Sequence, residues 1–260
     1  MRSVRIIGPG RAGQALAGAL AARGLTVEGP LGKGQWDAAA ASGVDALVLA
    51  VPDRVVAEVA RVLTPVPGTL VVHLAGALGL EVLAPHPRRA SLHPLAALPD
   101  APTGIRRLLA GPVCVWDGDP EVRELAEQLG WRPRTLAADR ARYHACCSVA
   151  ANHLVGLLGE VERLAASCGL ALGDFLGLAA GALEDAGRLG PAAALTGPVA
   201  RGDWTTLERH RAALPPEERA GYEAGVALCQ RLLQAGSPTG VDRTGTGSGE
   251  LAPRALAQAG

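Results

Sequence analysis

The rhythm of polar and apolar positions changes once along this chain, near residue 139. Before that point, short apolar runs alternate with amphipathic segments. Strands are predicted at Val4 to Ile7, Thr26 to Pro30, Asp45 to Asp53, Gly68 to Ala77, Arg89 to Leu95, Gly111 to Trp116 and Trp131 to Leu136. Leu47-Val48-Leu49 and Leu70-Val71-Val72 are apolar without a break, as strands buried on both faces must be. Helices are predicted from Arg11 to Arg23, Val55 to Leu63 and Asp119-Pro120 to Leu129. Such alternation implies a mostly parallel, doubly wound sheet. From Asp139 onward no strand signal remains. Ala138 to Cys168 reads as one long helix, followed by Leu172 to Leu189, Thr205 to Ala213 and Pro216 to Gln234, with a loop at Leu195 to Asp203. The expected organisation is a sheet domain over 1–137, a helical domain over 138–236 and a disordered tail over 237–260, where Gly, Ser, Thr and Pro leave little to bury.

The first turn gives the sheet domain its chemistry. Gly8-Pro9-Gly10-Arg11-Ala12-Gly13 is a Gly-x-Gly-x-x-Gly pattern, placed after a strand and before a small-residue helix. Gly8 permits the sharp turn, Gly10 lets a pyrophosphate approach the backbone, and Gly13 lets the helix pack close to the strand. The helix start then presents free N–H groups and a positive dipole end to phosphates. The expected fold class is therefore α/β, a Rossmann doubly wound parallel sheet followed by an all-helical C-terminal domain. Gly8, Pro9, Gly10, Arg11, Ala12 and Gly13 are the expected dinucleotide contacts. An acid near the end of the second strand binds ribose hydroxyls in NAD-specific sites. Glu28 comes early, and the next residues, Leu31-Gly32-Lys33-Gly34, contain no acid but do contain Lys33. Lys33 is either a partner for a 2′-phosphate or a solvated loop residue; the balance favours NADP over NAD. Val51-Pro52-Asp53 ends the third strand at the same crevice. Asp53 either caps the next helix or touches the ligand.

Composition narrows the partners. At 260 residues and 48% apolar, the chain can bury a large core, and its formal net charge is zero. Neutrality argues against nucleic acid or a membrane surface as partner; no apolar run is long enough to span a bilayer. Lys33 is the only lysine, so lysine-based catalysis elsewhere is excluded. The five cysteines form no Cys-x-x-Cys pair and read as buried thiols. No metal site is expected. The first residues enter a strand at once without a secretory leader, so a cytoplasmic location is expected.

Candidate chemistry lies on two strand ends and one helix. His73 and His93 close the fourth and fifth strands, on one crevice edge, and histidine suits proton transfer near neutral pH. His93 is the first choice for catalysis, and His73 for substrate contact. His86, among prolines and arginines, reads as surface loop. On the long helix His144, Ser148 and Asn152 are spaced four apart and share a face. Such a stripe either faces a cleft or forms a polar seam between helices. Tyr143 lies beside it, and His153, on another face, reads as structural. In the loop before Asp203, Arg201 either clamps a substrate carboxylate or sits in a surface turn whose Asp203 caps the next helix.

These motifs together resemble a family of oxidoreductases with a Rossmann-like domain followed by the domain of unknown function DUF2520. The resemblance runs to about Gly236. It rests on the glycine turn, Val51-Pro52-Asp53, His73-x-x-Gly76-Ala77, Ser91-Leu92-His93-Pro94, Tyr143-His144-Ala145 and Thr196-Gly197-Pro198-x-x-Arg201-Gly202-Asp203. The family is similar to β-hydroxyacid dehydrogenases, ketopantoate reductases, pyrroline-5-carboxylate reductases and prephenate dehydrogenases, with a 6-phosphogluconate dehydrogenase-like C-terminal domain. The resemblance implies an NADP-dependent oxidoreductase acting on a small carbonyl or hydroxy acid, and a homodimer joined through the helical domain. Two of these relatives carry a catalytic lysine on the first helical-domain helix and an asparagine one turn on. The matching positions are His144 and Ser148, with Asn152 a further turn along, so the lysine is missing. The strand-end His-Pro of prephenate dehydrogenases implies for His93 a bond to the substrate hydroxyl. A ketopantoate reductase-like enzyme and an NADP(H)-binding sensor without turnover are the alternatives.

Overall fold

The computed structural model describes residues 1–234. The tail expected over 237–260 lies outside the described residues. Seven strands form one sheet: β1 (Ser3–Ile7), β2 (Thr26–Leu31), β3 (Ala46–Leu49), β4 (Leu70–His73), β5 (Arg89–Pro94), β6 (Val113–Gly118) and β7 (Arg132–Arg134), in the order β2-β1-β3-β4-β5-β6-β7. Pairings are parallel except between β5 and β6. The order reverses between β1 and β3, where Ile7 stands beside Leu49, and Leu49 beside His73. The crevice expected at such a switch point therefore opens just beyond these residues.

The side-chain alternation of the strands divides the core. Val4, Ile6, Val48, Val72 and Leu92 face α1 (Arg11–Ala22), α3 (Ala101–Leu109) and α4 (Glu121–Gln128). Ile7, Leu47, Leu49 and Val71 face α2 (Asp53–Val62). The sequence reading overlooked α3, although Asp100 caps it, accepting from the Thr103 N–H at 2.7 Å, and Pro102 sits in its first turn. α1 and α3 meet through small residues: a Cβ on Gly104 would lie 2.6 Å from Ala15 Cβ.

The long helix begins as α5 (Arg140–Ser148), passes through a π-helical turn at Val149–His153, and continues as α6 (Leu154–Ser167). Asp139 caps its start, accepting from Ala141 N–H at 2.6 Å and Arg142 N–H at 3.1 Å. Then follow α7 (Leu172–Leu189), α8 (Pro191–Ala194), α9 (Gly197–Arg201), α10 (Trp204–Ala213) and α11 (Arg219–Gln234). The chain divides into two compact units, Met1–Val155 and a second from Gly156. This division falls within the long helix, downstream of the expected boundary at 137. The second unit is tied by Arg163 to Glu218, with contacts of 2.5 and 2.9 Å, and by a 2.7 Å bond between Tyr222 hydroxyl and His210 Nδ1. Among the described residues, no helix is long and apolar enough to cross a membrane.

Three expectations are corrected here. The segment from Leu195 to Asp203 is not wholly loop: Gly197 and Pro198 begin the short helix α9, which Gly202 ends in the left-handed region at φ 66°. His86 is buried rather than in surface loop, with Nε2 2.9 Å from Ala60 carbonyl oxygen. Only Cys114 is buried; Cys146 and Cys168 are exposed and Cys147 and Cys229 half-buried, because the helices carrying them bury little within one chain.

Candidate active site

The β1–α1 turn is built around its first and third glycines. Gly8 has φ 118°, and a Cβ there would lie 2.3 Å from Ala50 carbonyl oxygen. A Cβ on Gly13 would lie 1.9 Å from Gly8 carbonyl oxygen. Gly10 differs: nothing lies within 4 Å of its Cβ position. The protein itself does not require glycine there, so the open space is what a closely approaching phosphate would need. Gly10 caps α1 without a side-chain bond, and the first turn holds no acid. The N–H groups beyond Gly10, from Arg11 and Ala12, begin an uncompensated positive helix end.

Beside this turn lies a cavity of about 520 Å³, lined by Gly8, Pro9, Lys33, Trp36 and Val51, and by Val55, Val59 and Val62 of α2. Both acids near the end of β2 are committed elsewhere. Glu28 accepts from Arg5 at 2.8 and 2.5 Å, and Asp37 accepts from Ala39 N–H at 2.9 Å. Lys33 is the exposed cation at this cavity. Pro52 and Asp53 are exposed at the start of α2. Asp53 is the first helical residue and makes no cap bond, so the capping role considered for it is not the one it has.

A second cavity, about 440 Å³, opens within the same unit beyond β5. It is lined by His93, Pro94 and Leu95 from β5 and the segment after it, and by His144, Cys147, Ser148 and Asn152 from the long helix. The stripe spaced four apart thus meets the strand-end histidine. The π-helical turn falls between Ser148 and the end of the stripe, a local widening often found at functional sites. Gly76 makes the meeting possible. A Cβ there would lie 2.8 Å from His144 Cδ2 and 3.0 Å from His93 Nε2. The two imidazole rings stand 6.1 Å apart, inclined at 70°.

His93 Nδ1 is 2.5 Å from Tyr143 hydroxyl. Burial, aided by the neighbouring His144, pushes the His93 pKa down to about 4, so the ring is neutral near pH 7. Burial pushes Tyr143 upward, so its hydroxyl keeps its proton. When that proton is donated to Nδ1, the remaining imidazole proton sits on Nε2, the nitrogen beside Gly76.

His73 is not part of this cavity, and the expected substrate contact is corrected. It is fully buried, its Nε2 is 3.2 Å from Gly79 carbonyl oxygen, and its Nδ1 accepts from Ala75 N–H at 3.2 Å. Both nitrogens serve the backbone of the loop after β4. His153 is exposed rather than packed. Arg201 is exposed in the second unit, and Asp203 caps α10, accepting from Thr206 N–H at 3.1 Å. Sequence reasoning gave no role to Gly76 or Arg140 and left Tyr143 unassigned. Tyr143 had a signal in its place beside His144; the other two needed the tertiary contact.

Residues 33–99 match the model of a Rossmann-like domain, and residues 117–227 match the domain of unknown function DUF2520. The two models match in succession, the Rossmann-like one on the sheet and DUF2520 from β6 into the helices. No curated protein matches it in sequence. Among solved structures, protein TM1727 from Thermotoga maritima is similar at 20% identity, with a TM-score of 0.68, over 89% of this chain and 98% of that one. The reductive aminase from Aspergillus terreus, in complex with NADPH and ethyl levulinate, is 18% identical, with a TM-score of 0.64, over 91% of this chain and 95% of that one. Plasmodium falciparum pyrroline carboxylate reductase, with NADP bound, is 13% identical, with a TM-score of 0.58, over 89% and 98%. At these identities the likeness is one of fold.

Proposed function

We propose that this protein is an NADP-dependent oxidoreductase acting on a small carbonyl compound or the corresponding hydroxy acid. The observation that carries the reading is a neutral His93, held by Tyr143 and facing His144 across Gly76. This group lies at the same sheet edge as a turn whose open Gly10 fits a pyrophosphate. NADP-bound neighbours in fold support it. NADP is favoured over NAD because Glu28 and Asp37 are already bonded while Lys33 faces the cavity.

The cofactor, when bound, supplies or accepts a hydride. His93 Nε2–H donates a hydrogen bond to the substrate oxygen and stabilises negative charge as it develops. A ring with a pKa of about 4 is almost never an imidazolium near pH 7, so His93 is not the proton reservoir. His144, across the cavity, is the group assigned to carry the transferred proton. Ser148 and Asn152 orient the carbonyl, in a cavity also lined by Pro94, Leu95 and Ala150. Arg201, from a second copy of the chain, is assigned to a substrate carboxylate. We further propose a homodimer through the helical unit, because α7 carries apolar residues and buries none of them within the chain.

Titration of the protein's fluorescence with NADPH and NADH tests the cofactor assignment. Micromolar NADPH affinity with much weaker NADH is expected; the reverse preference removes Lys33 from its role. A panel of keto acids and ketones then tests turnover. The absent lysine favours one second reading, a sensor that binds NADPH without turnover. His93→Asn and His144→Ala separate the two, since an enzyme loses turnover and keeps cofactor, whereas a sensor has none to lose.

A further inference from the structure

The long helix touches β5 twice, and only one contact has been given a role. Ser91 and His93 are two apart on β5 and therefore face the same side of the sheet. On α5, Arg140 and Tyr143 are three apart and share a helix face. Tyr143 hydroxyl meets His93 Nδ1, and one turn earlier Arg140 Nη2 donates to Ser91 Oγ. Ser91 is fully buried, and the Arg140 side chain is only 14% exposed. The guanidinium also stands 3.5 Å from the Asp117 carboxylate, which is largely exposed. Its Nη1 is buried without a partner. A buried guanidinium with an unpaired donor carries a desolvation cost that a plain helix-to-strand tie does not need.

We propose that Arg140 is a positioning residue for His93: through Ser91 it fixes the height and rotation of α5 on β5, and so sets the contact between Tyr143 and His93. The fixed cation has a second consequence. Tyr143 and His144 from α5 meet His93, Cys147 lines the same cavity, and Asp53 at the start of α2 and His73 on β4 act on it electrostatically without touching it. Of the charged ones, Asp53 favours protonation of His93, while His144, Arg140 and His73 oppose it, after burial. Removing the Arg140 charge therefore makes His93 easier to protonate. The inference rests on the reading of His93 as the reactive histidine, but its test does not require turnover.

The test follows His93 by NMR in the full chain labelled at histidine, with His93→Asn to assign its signals and circular dichroism to verify folding. In Arg140→Met the His93 midpoint should move above about 4, and its ring ¹⁵N shifts should leave the single-tautomer pattern. Arg140→Lys should restore the midpoint but not the tautomer, because an ammonium lacks the fork that holds Ser91. Ser91→Ala, which keeps the charge, should loosen the tautomer without moving the midpoint. If turnover is found, Ser91→Ala and Arg140→Lys should each lower kcat about tenfold with KM little changed. An unchanged midpoint and tautomer in folded Arg140→Met overturn the proposal. Should Arg140→Met fail to fold, unchanged ring shifts in Ser91→Ala overturn it instead. Absence of turnover in the unaltered protein would defeat the oxidoreductase reading and leave the titration result standing.

Discussion

At the scale of single residues, the candidate site sets a neutral His93 ring against the protonated hydroxyl of Tyr143 in a partly buried setting. His93 and His73 both have pKa values lowered chiefly by burial, His93 to about 4. Their charged forms are thus disfavoured in the fold relative to the unfolded chain, where histidine titrates near 6.5. Between these values the unfolded chain binds protons that the folded chain does not. The contribution of His93 to stability is therefore complete above about 6.5 and is lost as pH falls toward 4. Urea unfolding at pH 7, 6 and 5 should show the midpoint falling across this window, and His93→Asn should flatten the fall. Tyr143→Phe removes one hydrogen bond to His93 and should cost about 1 kcal/mol, with a larger loss in turnover than in cofactor affinity.

The glycines show how elements carry the chemistry. Gly13 and Gly10 lie in one motif but answer to different partners. Gly13→Ala places a methyl 1.9 Å from Gly8 carbonyl oxygen, so β1 and α1 must part. It should lower the melting temperature and cofactor affinity together. Gly10→Ala meets nothing within 4 Å, so thermal unfolding of the protein alone should be unchanged while NADPH affinity falls at least tenfold. Paired differential scanning fluorimetry, with and without NADPH, distinguishes the two. Gly76→Ala separates His93 from His144 by pressing on both rings, and should reduce turnover about tenfold or more with the cofactor still bound.

For the whole molecule, the division of labour follows from what each part buries. The sheet and its flanking helices form two continuous apolar clusters. The helical unit keeps a few buried apolar side chains, Ala165, Leu207 and Val226, and leaves Leu178 and Leu183 74% and 68% exposed on α7. Apolar helix surface of this extent is what a second copy would cover. Light scattering should find a dimer, and Leu178→Glu with Leu183→Glu should yield monomers that retain NADPH binding.

Much of this was legible in the chain itself. The central strands β3 and β4 followed from unbroken apolar runs, as burial on both faces requires. The tight turn between β1 and α1 followed from three glycines in a fixed context, and the stripe of His144, Ser148 and Asn152 from helical periodicity. Spacing along one element is local information, and local rules decode it. What each of those residues meets is not local. Whether His73 faces a cavity or the backbone of its own loop depends on how the segment from Leu74 to Gly79 folds back. That His86 is buried depends on the carbonyl of Ala60, on another element. The tertiary structure alone decided that Gly76 lies between two histidines separated from it by 17 and 68 positions, and that Arg140 reaches Ser91. The sequence determined which side chains stand at strand ends and on one helix face, because backbone geometry repeats with a fixed period. Only packing determined which of them share a cavity, because that depends on the crossing of α5 over β5, which no period encodes.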